Sequence, residues 1–399
     1  MKKTETDTKK RIKIVDAIRG FALLGILLIH SIEQFDLANY PESSGVLAIL
    51  DVKIKEIVFF LFAGKAYSIF SIMFGFSFYI QMKNNEEKGI NFSKRFIWRL
   101  VILFVIGYLY SLFYYGEVLT VFALLGLIII PMYKLSNKCA IFIIALFIIQ
   151  IPTVYHLIAS FINLNYSYSN SWHHFKDVST TFKNGSFLEV IEFNSIKGHL
   201  AKWQYLFNVG RYLQMVGLFV FGLLLGKLKY FEQIVKNKKT TLKVVLLTGL
   251  LSLCFYCSPF LLEGSTFSSI QIKALTFLFK SAFNFVFTIL LIAFFVIIFS
   301  TIQQKVKISI LSYYGKMSLT NYVTQALFGT FFFYGYGLGM YQYFGATYCL
   351  LFGFILFIIQ AQLSKLWIKK IYYGPLEWLW RAFTFMDFNL KFKKPTHQN

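Results

Sequence analysis

Charge is scarce in this 399-residue sequence. Asp, Glu, Lys and Arg make up 15% of it, while hydrophobic residues make up 57%. An average soluble domain is about 25% charged, so this shortage argues against an ordinary soluble enzyme and excludes a disordered chain. Cysteine is scarce too. Cys139, Cys254, Cys257 and Cys349 are the four present, and none lies in a turn-rich loop, which excludes a disulfide scaffold. Cys254 and Cys257 form a C-x-x-C inside "LLSLCFYCSPFLL". The βαβ pattern that accompanies a redox pair is missing, so both read as small buried hydrophobes. There are six prolines, no internal repeat of fixed period and no low-complexity tract. H-E-x-x-H, P-loop and G-x-S-x-G signatures are absent, which removes the commonest sequence-readable routes to metalloprotease, nucleotide-hydrolase and serine-hydrolase chemistry.

What charge there is leans one way. Lys and Arg number 40 against 18 Asp and Glu, a formal net charge of +22. Such an excess often marks a nucleic-acid partner, but its distribution here marks a membrane. A spanning helix needs roughly 20 apolar residues. The chain offers such runs at 16–36, 57–82, 96–114, 118–133, 139–159, 204–226, 243–262, 273–300, 317–335 and 343–366. They are continuous rather than alternating, so helices are expected and a β-barrel is not. The segments on one side of these runs hold 29 of the 40 basic residues. The other side holds ten of the 18 acids, Glu33, Asp36, Glu42, Asp51, Glu56, Glu117, Asp177, Glu189, Glu192 and Glu263. By the positive-inside rule both termini are cytoplasmic.

The expected fold is therefore all-α, a polytopic integral membrane bundle of about ten helices. The expected organisation is a basic N-terminus (1–15), five helices (16–159), an extracytoplasmic segment (160–203), five further helices (204–370) and an interfacial tail (371–399). The N-terminal charged stretch and apolar run look like a signal peptide. No small-residue cleavage site follows, so the run reads as a retained first span. The lipid bilayer is the expected partner, and nucleic acid is not.

Ionisable groups inside membrane helices are costly and are functional candidates by default. The sharpest set is in "VDAIRGFALLGILLIHSIEQFD". Arg19 and His30 are eleven residues apart, which puts them on one helix face with a separation of roughly 16 Å along the axis. A cation at the cytoplasmic end can hold an anionic ligand, and an imidazole deeper in the membrane can act as a general base. Asp16, one turn before Arg19, can orient it. The alternative is an interfacial anchor at Arg19 and a packing role for His30. Lys65 can pair with Glu117, contact a phosphate or snorkel. Arg211, Asn284 and Lys280 are candidates for lining the same cavity. Ser318, Asn321 and Gln325 share a helix face by their spacing and read equally as interhelical hydrogen-bond glue. His173 and His174 are adjacent and do not share a face, so no metal site is expected.

These residues carry a resemblance. The first span resembles the start of YeiB-like bacterial membrane proteins, a family labelled as a domain of unknown function, in Asp16, Arg19, Gly20, Ala22, Gly25 and Ile26. "GKAYSIFSIMFGFSF", "GEVLTVFALLGL" and "LQMVGLFVFGLLLGKL" continue it, with Glu117 in place of the family's usual Asp. "GKMSLTNYVTQALFGTFFFYGYGLGMY" and "QLSKLWIKKIYYGPLEWLWRAFTF" look like the family's C-terminal domain. The first helices are in turn similar to a wider group of transmembrane acyltransferases. That group includes family-three enzymes that decorate surface glycans and heparan-α-glucosaminide N-acetyltransferase. Family-three enzymes carry Arg, ten intervening residues and a catalytic His, the spacing of Arg19 and His30. Many YeiB-like proteins carry Asn where this chain has His30.

The resemblance implies a membrane acyltransferase in a bacterial cytoplasmic (inner) membrane. Acyl-CoA, in its commonest form acetyl-CoA, would be the donor, held by Arg19, Lys65 and Arg211. His30 would be the base, with Glu33 or Glu117 orienting the acceptor. The acceptor would be a cell-envelope sugar, a lipid head group or a small amine. A homodimer is left open. The competing reading is a small-molecule transporter, against which the lack of inverted duplication counts.

Overall fold

The computed structural model describes residues 13–163, 166–167, 177–234, 237–302, 309–390 and 393. His173 and His174 lie outside the described residues. The described residues form helices and one isolated bridge, between Ile371 and Lys393, with no strand. The N-terminal part contains α1 (Lys13–Ile32), α2 (Gly45–Phe62), α3 (Ala66–Glu86), α4 (Ser93–Ser111), α5 (Leu119–Ile128), α6 (Asn137–Ile148) and α7 (Ile151–Ile162). The short helices α8 (Val178–Asn184) and α9 (Phe187–Phe193) follow, then α10 (His199–Asn208), α11 (Arg211–Lys227) and α12 (Tyr230–Ile234). The C-terminal part contains α13 (Lys238–Cys257), α14 (Ser269–Ile302), α15 (Ser309–Lys316), α16 (Ser318–Phe333), α17 (Ala346–Lys370) and α18 (Pro375–Phe385).

Four helices are long and apolar enough to cross a membrane, within Lys13–Ile32, Lys238–Leu262, Ser269–Phe299 and Ala346–Lys370. Counting each of two bent helix pairs as one broken span gives six. Ten runs were expected, and the difference has local causes. The run 57–82 is interrupted at Gly64, whose φ of +78° ends α2 and lets α3 start afresh. The run 139–159 splits at Gln150 (φ 60°), where α6 and α7 meet at 58°, and Pro152 begins the second piece. The run 204–226 splits at Gly210 (φ +61°), where the bend is 74°. The run 118–133 yields only the ten-residue α5. α4 begins with Lys94, Arg95 and Arg99 within its first two turns.

The architecture is organised around α1, which packs on α3, α15, α16 and α17 and is mostly buried. Small residues let these helices approach at backbone distance. A Cβ on Gly20 would fall 2.2 Å from the carbonyl oxygen of Leu311 on α15, and one on Gly315 would fall 1.9 Å from that of Asp16 on α1. The close pair α3–α11 uses the same device through Gly75 and Gly222. At the edge of the bundle α13 packs mainly on α14, which joins it to α7 and α3, and much of the apolar surface of α13 is exposed. That surface suits lipid rather than water. Cys254 and Cys257 are on it, free and exposed. The expectation that they are buried hydrophobes is corrected: α13 turns most of its circumference outward.

The segment 160–203 is largely helical where described, and α8 packs on the turns after α1 and α16. Phe182 of α8 stacks on Tyr334 at 4.6 Å, the Gly335 N–H donates to the Phe182 carbonyl, and Lys183 Nζ donates to Asn39 Oδ1 at 2.8 Å.

A cationic cavity and a buried histidine on one helix

Arg19 opens on a cavity of about 280 Å³ between α1, α3, α4, α16 and α18. Its charged lining is Arg19, Arg99, Lys316 and Arg381 against Glu377 alone. Each group is held by the local fold. Arg19 donates to Asp16 Oδ1 at 3.1 Å, one turn back on its own helix, and to Ser77 Oγ at 2.5 Å on α3. The Arg99 guanidinium lies 3.6 Å from the Trp380 ring centre, and the Trp380 indole N–H donates to the Arg99 carbonyl at 2.9 Å. Arg381 lies 5.0 Å from the Tyr373 ring, and its Nε is buried without a hydrogen-bond partner among the described residues.

Glu377 does not neutralise this group freely. Its carboxylate accepts from the Leu319 and Thr320 backbone N–H groups (2.7 and 3.1 Å) and from the Thr320 hydroxyl (2.6 Å), capping the start of α16. Those N–H groups are the unpaired donors of a helix terminus, so the carboxylate is committed to structure. Ser318 lines the same cavity. A second cavity of about 610 Å³ at the same end shares Arg19, Ser77, Gln81 and Arg381 with the first.

His30 lines neither cavity. Its Nδ1 is 2.9 Å from the Tyr114 hydroxyl, and its ring stacks on Phe35 at 5.9 Å. Immediately after α1 the backbone does something unusual. Gln34, Phe35, Asp36 and Ala38 all have φ between 46° and 74°, a region that costs a non-glycine residue roughly 1–2 kcal/mol. Surrounding contacts hold this turn. Gln34 Nε2 donates to the carbonyls of Tyr341 (3.0 Å) and Phe344 (2.9 Å), Tyr334 donates to the Phe35 carbonyl (2.8 Å), and Tyr40 donates to that of Ile32 (2.7 Å). The result folds Asp36 back beside Tyr114 at Gly116, with Asp36 Oδ2 buried and without a hydrogen-bond partner among the described residues. His30 Nδ1 and the Tyr114 hydroxyl share one hydrogen bond; in the tautomer where Nδ1–H donates to the hydroxyl, Nε2 keeps the lone pair a base needs. Strained turns of this kind recur at functional sites.

The distance from cavity to histidine is bridged by aromatic rings. Tyr322 lines the cavity, Tyr110 meets it at 5.4 Å, Tyr114 meets Tyr110 at 6.4 Å, and His30 meets Tyr114 at 5.3 Å. Gln325 is on the same face of α16, between Tyr322 and Gly329, against which Phe35 packs. Its residue is fully buried, and neither amide atom has a hydrogen-bond partner among the described residues.

The other expected residues fall elsewhere. Glu117 is buried and bound to Lys202 Nζ at 2.5 Å, with the Thr120 N–H at 3.1 Å and the Thr120 hydroxyl also donating to it. The expected pairing of Lys65 with Glu117 is thereby corrected, because Lys202 from α10 reaches the carboxylate instead. Lys65 and Asn284 are together at the α2–α3 break, away from the Arg19 cavity. Arg211 lines neither cavity. It stacks on Tyr67 at 4.4 Å and is within electrostatic range of Glu33, near the His30 end. Asn321 is interhelical glue, its amide donating to the Tyr314 carbonyl (3.0 Å) and Ser364 Oγ (2.9 Å). Tyr114, Arg99, Lys316 and Lys202 were not singled out by sequence. Arg99 and Lys316 counted only as loop charges, and Arg381 as a loop charge and a residue of the C-terminal resemblance. Their spacing from aromatic residues in amphipathic helices was the available signal.

The fold and its apolar surface define a helical protein with four to six helices long and apolar enough to cross a membrane. Residues 11–191 match the family described as heparan-alpha-glucosaminide N-acetyltransferase, catalytic, and residues 225–387 match a protein of unknown function (DUF418). The chain is similar to YeiB-like proteins. It is 37% identical over 70 residues, 18% of each chain, to the uncharacterized protein YeiB of Escherichia coli (strain K12). It is 25% identical to the uncharacterized protein YxaH of Bacillus subtilis (strain 168) over 98% of both chains. It is 26% identical to an uncharacterized 39.9 kDa protein in amylase 3'region of Bacillus acidopullulyticus, over 96% of this chain and 95% of that one. No solved structure matches the chain. The cationic cavity draws on both matched regions, Arg19 and Arg99 from the first and Lys316 and Arg381 from the second.

Proposed function

We propose that the protein is an integral membrane acyltransferase of the bacterial cytoplasmic membrane, moving an acyl group from acyl-CoA to a cell-envelope or small-molecule acceptor. One observation carries this reading. A cavity with four cationic side chains and one committed carboxylate opens at Arg19, on the helix that carries His30. Phosphates of the donor match such a cavity, because charge-assisted contacts to Arg are strong and directional. The buried Tyr322, Tyr110 and Tyr114 rings separate the cavity from His30, so the acyl end reaches the histidine by displacing them, with the Gln325 amide beside it. His30 Nε2 takes the proton of the acceptor hydroxyl or amine. The acceptor oxygen or nitrogen bonds to the thioester carbonyl carbon, the carbon–sulfur bond breaks, and the thiolate leaves with the proton from His30. Glu33 and Asp36 orient the acceptor.

The test is binding of acetyl-CoA to protein in detergent, by thermal shift or calorimetry. Arg99→Gln and Arg381→Gln should each weaken it about tenfold, since a hydrogen bond to a charged group contributes roughly 1.5–3 kcal/mol. Unchanged affinity in both variants, or no binding to the wild type, overturns the reading.

Both termini are assigned to the cytoplasm in this reading, with the shorter helices completing a bundle of about ten spans. The native cysteines test that orientation. A membrane-impermeant maleimide applied to intact cells should label Cys257 and spare Cys139 until the membrane is opened. The reverse pattern inverts the topology.

The bent pairs α6–α7 and α10–α11 favour one competing reading, a transporter, since broken helices are common there. Substrate flux in vesicles without acyl-CoA would select it.

A further inference from the structure

Lys65 follows the break at Gly64 and is 4% exposed. Its Nζ is 5.0 Å from the ring centre of Phe283, 5.6 Å from Phe287 and 5.8 Å from Phe60. Among the described residues no carboxylate is in ion-pair or hydrogen-bond contact with it, and the charged group in its electrostatic range is another cation, Lys280. Lys280, Phe283, Asn284 and Phe287 follow i, i+3, i+4 and i+7 along α14, so one helix face presents all four to the break. The Asn284 amide is pressed against Gly64, where a Cβ would be 2.9 Å from its Nδ2. None of these residues lines the Arg19 cavity.

Ring faces offset part of the cost of a buried ammonium. They do not offset a second ammonium nearby in a low dielectric, where like charges repel strongly. Cations at membrane depth are costly and are normally paired. A phosphate between the two would remove the repulsion and satisfy the Asn284 amide. Phe60 and Lys280 are exposed, so the group opens on the outer, apolar surface of the bundle. An anion arriving there comes with an apolar body.

We propose that Lys65, Lys280 and Asn284 form a binding site for the phosphate head group of an anionic membrane lipid, with Phe60, Phe283 and Phe287 against its chains. This inference is independent of the acyl-transfer reading.

Purified protein in dodecyl maltoside is titrated with phosphatidylglycerol, with uncharged diacylglycerol and with inorganic phosphate, and thermal unfolding is followed. Phosphatidylglycerol should stabilise the wild type. Lys65→Met and Lys280→Met should each weaken its apparent affinity about tenfold, the loss of one charge-assisted contact. In lipid-free detergent Lys65→Met should unfold no earlier than wild type, because an apolar chain replaces an uncompensated charge. A lysine that served only as a ring-stacked anchor would behave in the opposite way. Equal stabilisation of wild type and both variants overturns the site, and an equal effect of inorganic phosphate or diacylglycerol overturns its assignment to an anionic lipid. The exposed Lys280 keeps the test open should Lys65→Met fail to accumulate.

Discussion

Replacing His30 with alanine is expected to lower the turnover of acyl transfer by roughly 10²–10⁴-fold, the usual contribution of a positioned general base. Two observations give the size of the effect. The imidazole Nδ1 is 2.9 Å from the Tyr114 hydroxyl and the ring stacks on Phe35, so its orientation is set before substrate arrives. The turn that delivers Asp36 needs four non-glycine residues at positive φ, a backbone cost of several kcal/mol that the surrounding contacts must offset. His30→Asn separates chemistry from packing. Asparagine can still hydrogen-bond Tyr114, so the variant should express and unfold as wild type does while losing turnover to a similar extent. Tyr114→Phe leaves the imidazole in place but unguided, and a smaller loss of about tenfold is expected from one missing hydrogen bond. Wild-type turnover in His30→Asn with acetyl-CoA bound normally would show that the histidine only packs.

Much of this arrangement was legible before any coordinates. Arg19 and His30 share a helix face because 3.6-residue periodicity requires it, and α1 forms over Lys13–Ile32 with that register intact. Long apolar runs gave α14 and α17 almost to their ends, since hydrophobicity and length alone specify a spanning helix. The interrupted runs were less readable. Gly64 and Gly210 each end a helix by adopting positive φ, yet Gly75 and Gly222 stay helical and serve close packing, and composition does not distinguish the two uses. Tertiary pairing was not readable at all. Lys202 lies 85 positions from Glu117 and comes from a segment read as an outer loop. Lys65, closer in sequence and equally buried, was the natural but wrong partner. Arg99 and Arg381 illustrate the same limit from the other side. Loop counting assigned them to orientation, and only the packing of α18 on α4 brings both into one cavity with Arg19.

The ion pair of Glu117 and Lys202 should give the largest loss of stability of any surface-preserving substitution in the chain. Glu117 is fully buried and Lys202 is 6% exposed. Thr120 joins them, accepting from Lys202 Nζ at 2.9 Å while its own hydroxyl and N–H donate to the carboxylate. Inside the bundle neither charge has water to fall back on. Lys202→Met leaves a buried carboxylate with only Thr120 for company, and Glu117→Leu leaves a buried ammonium. Breaking one partner of such a pair typically costs about 3–5 kcal/mol, whereas replacing both with apolar residues of similar volume is often close to neutral. The two single variants should therefore unfold well below wild type in detergent, and the double variant Glu117→Leu, Lys202→Met should recover most of the difference. The coupling has a structural consequence. The pair ties α10 to the start of α5, whose first residue Leu119 lines the cationic cavity. If the network is mainly a clamp, the double variant restores stability and acetyl-CoA affinity together. If Glu117 also orients the acceptor, stability returns and turnover does not. Equal stability of Lys202→Met and wild type would show that the pair holds nothing together.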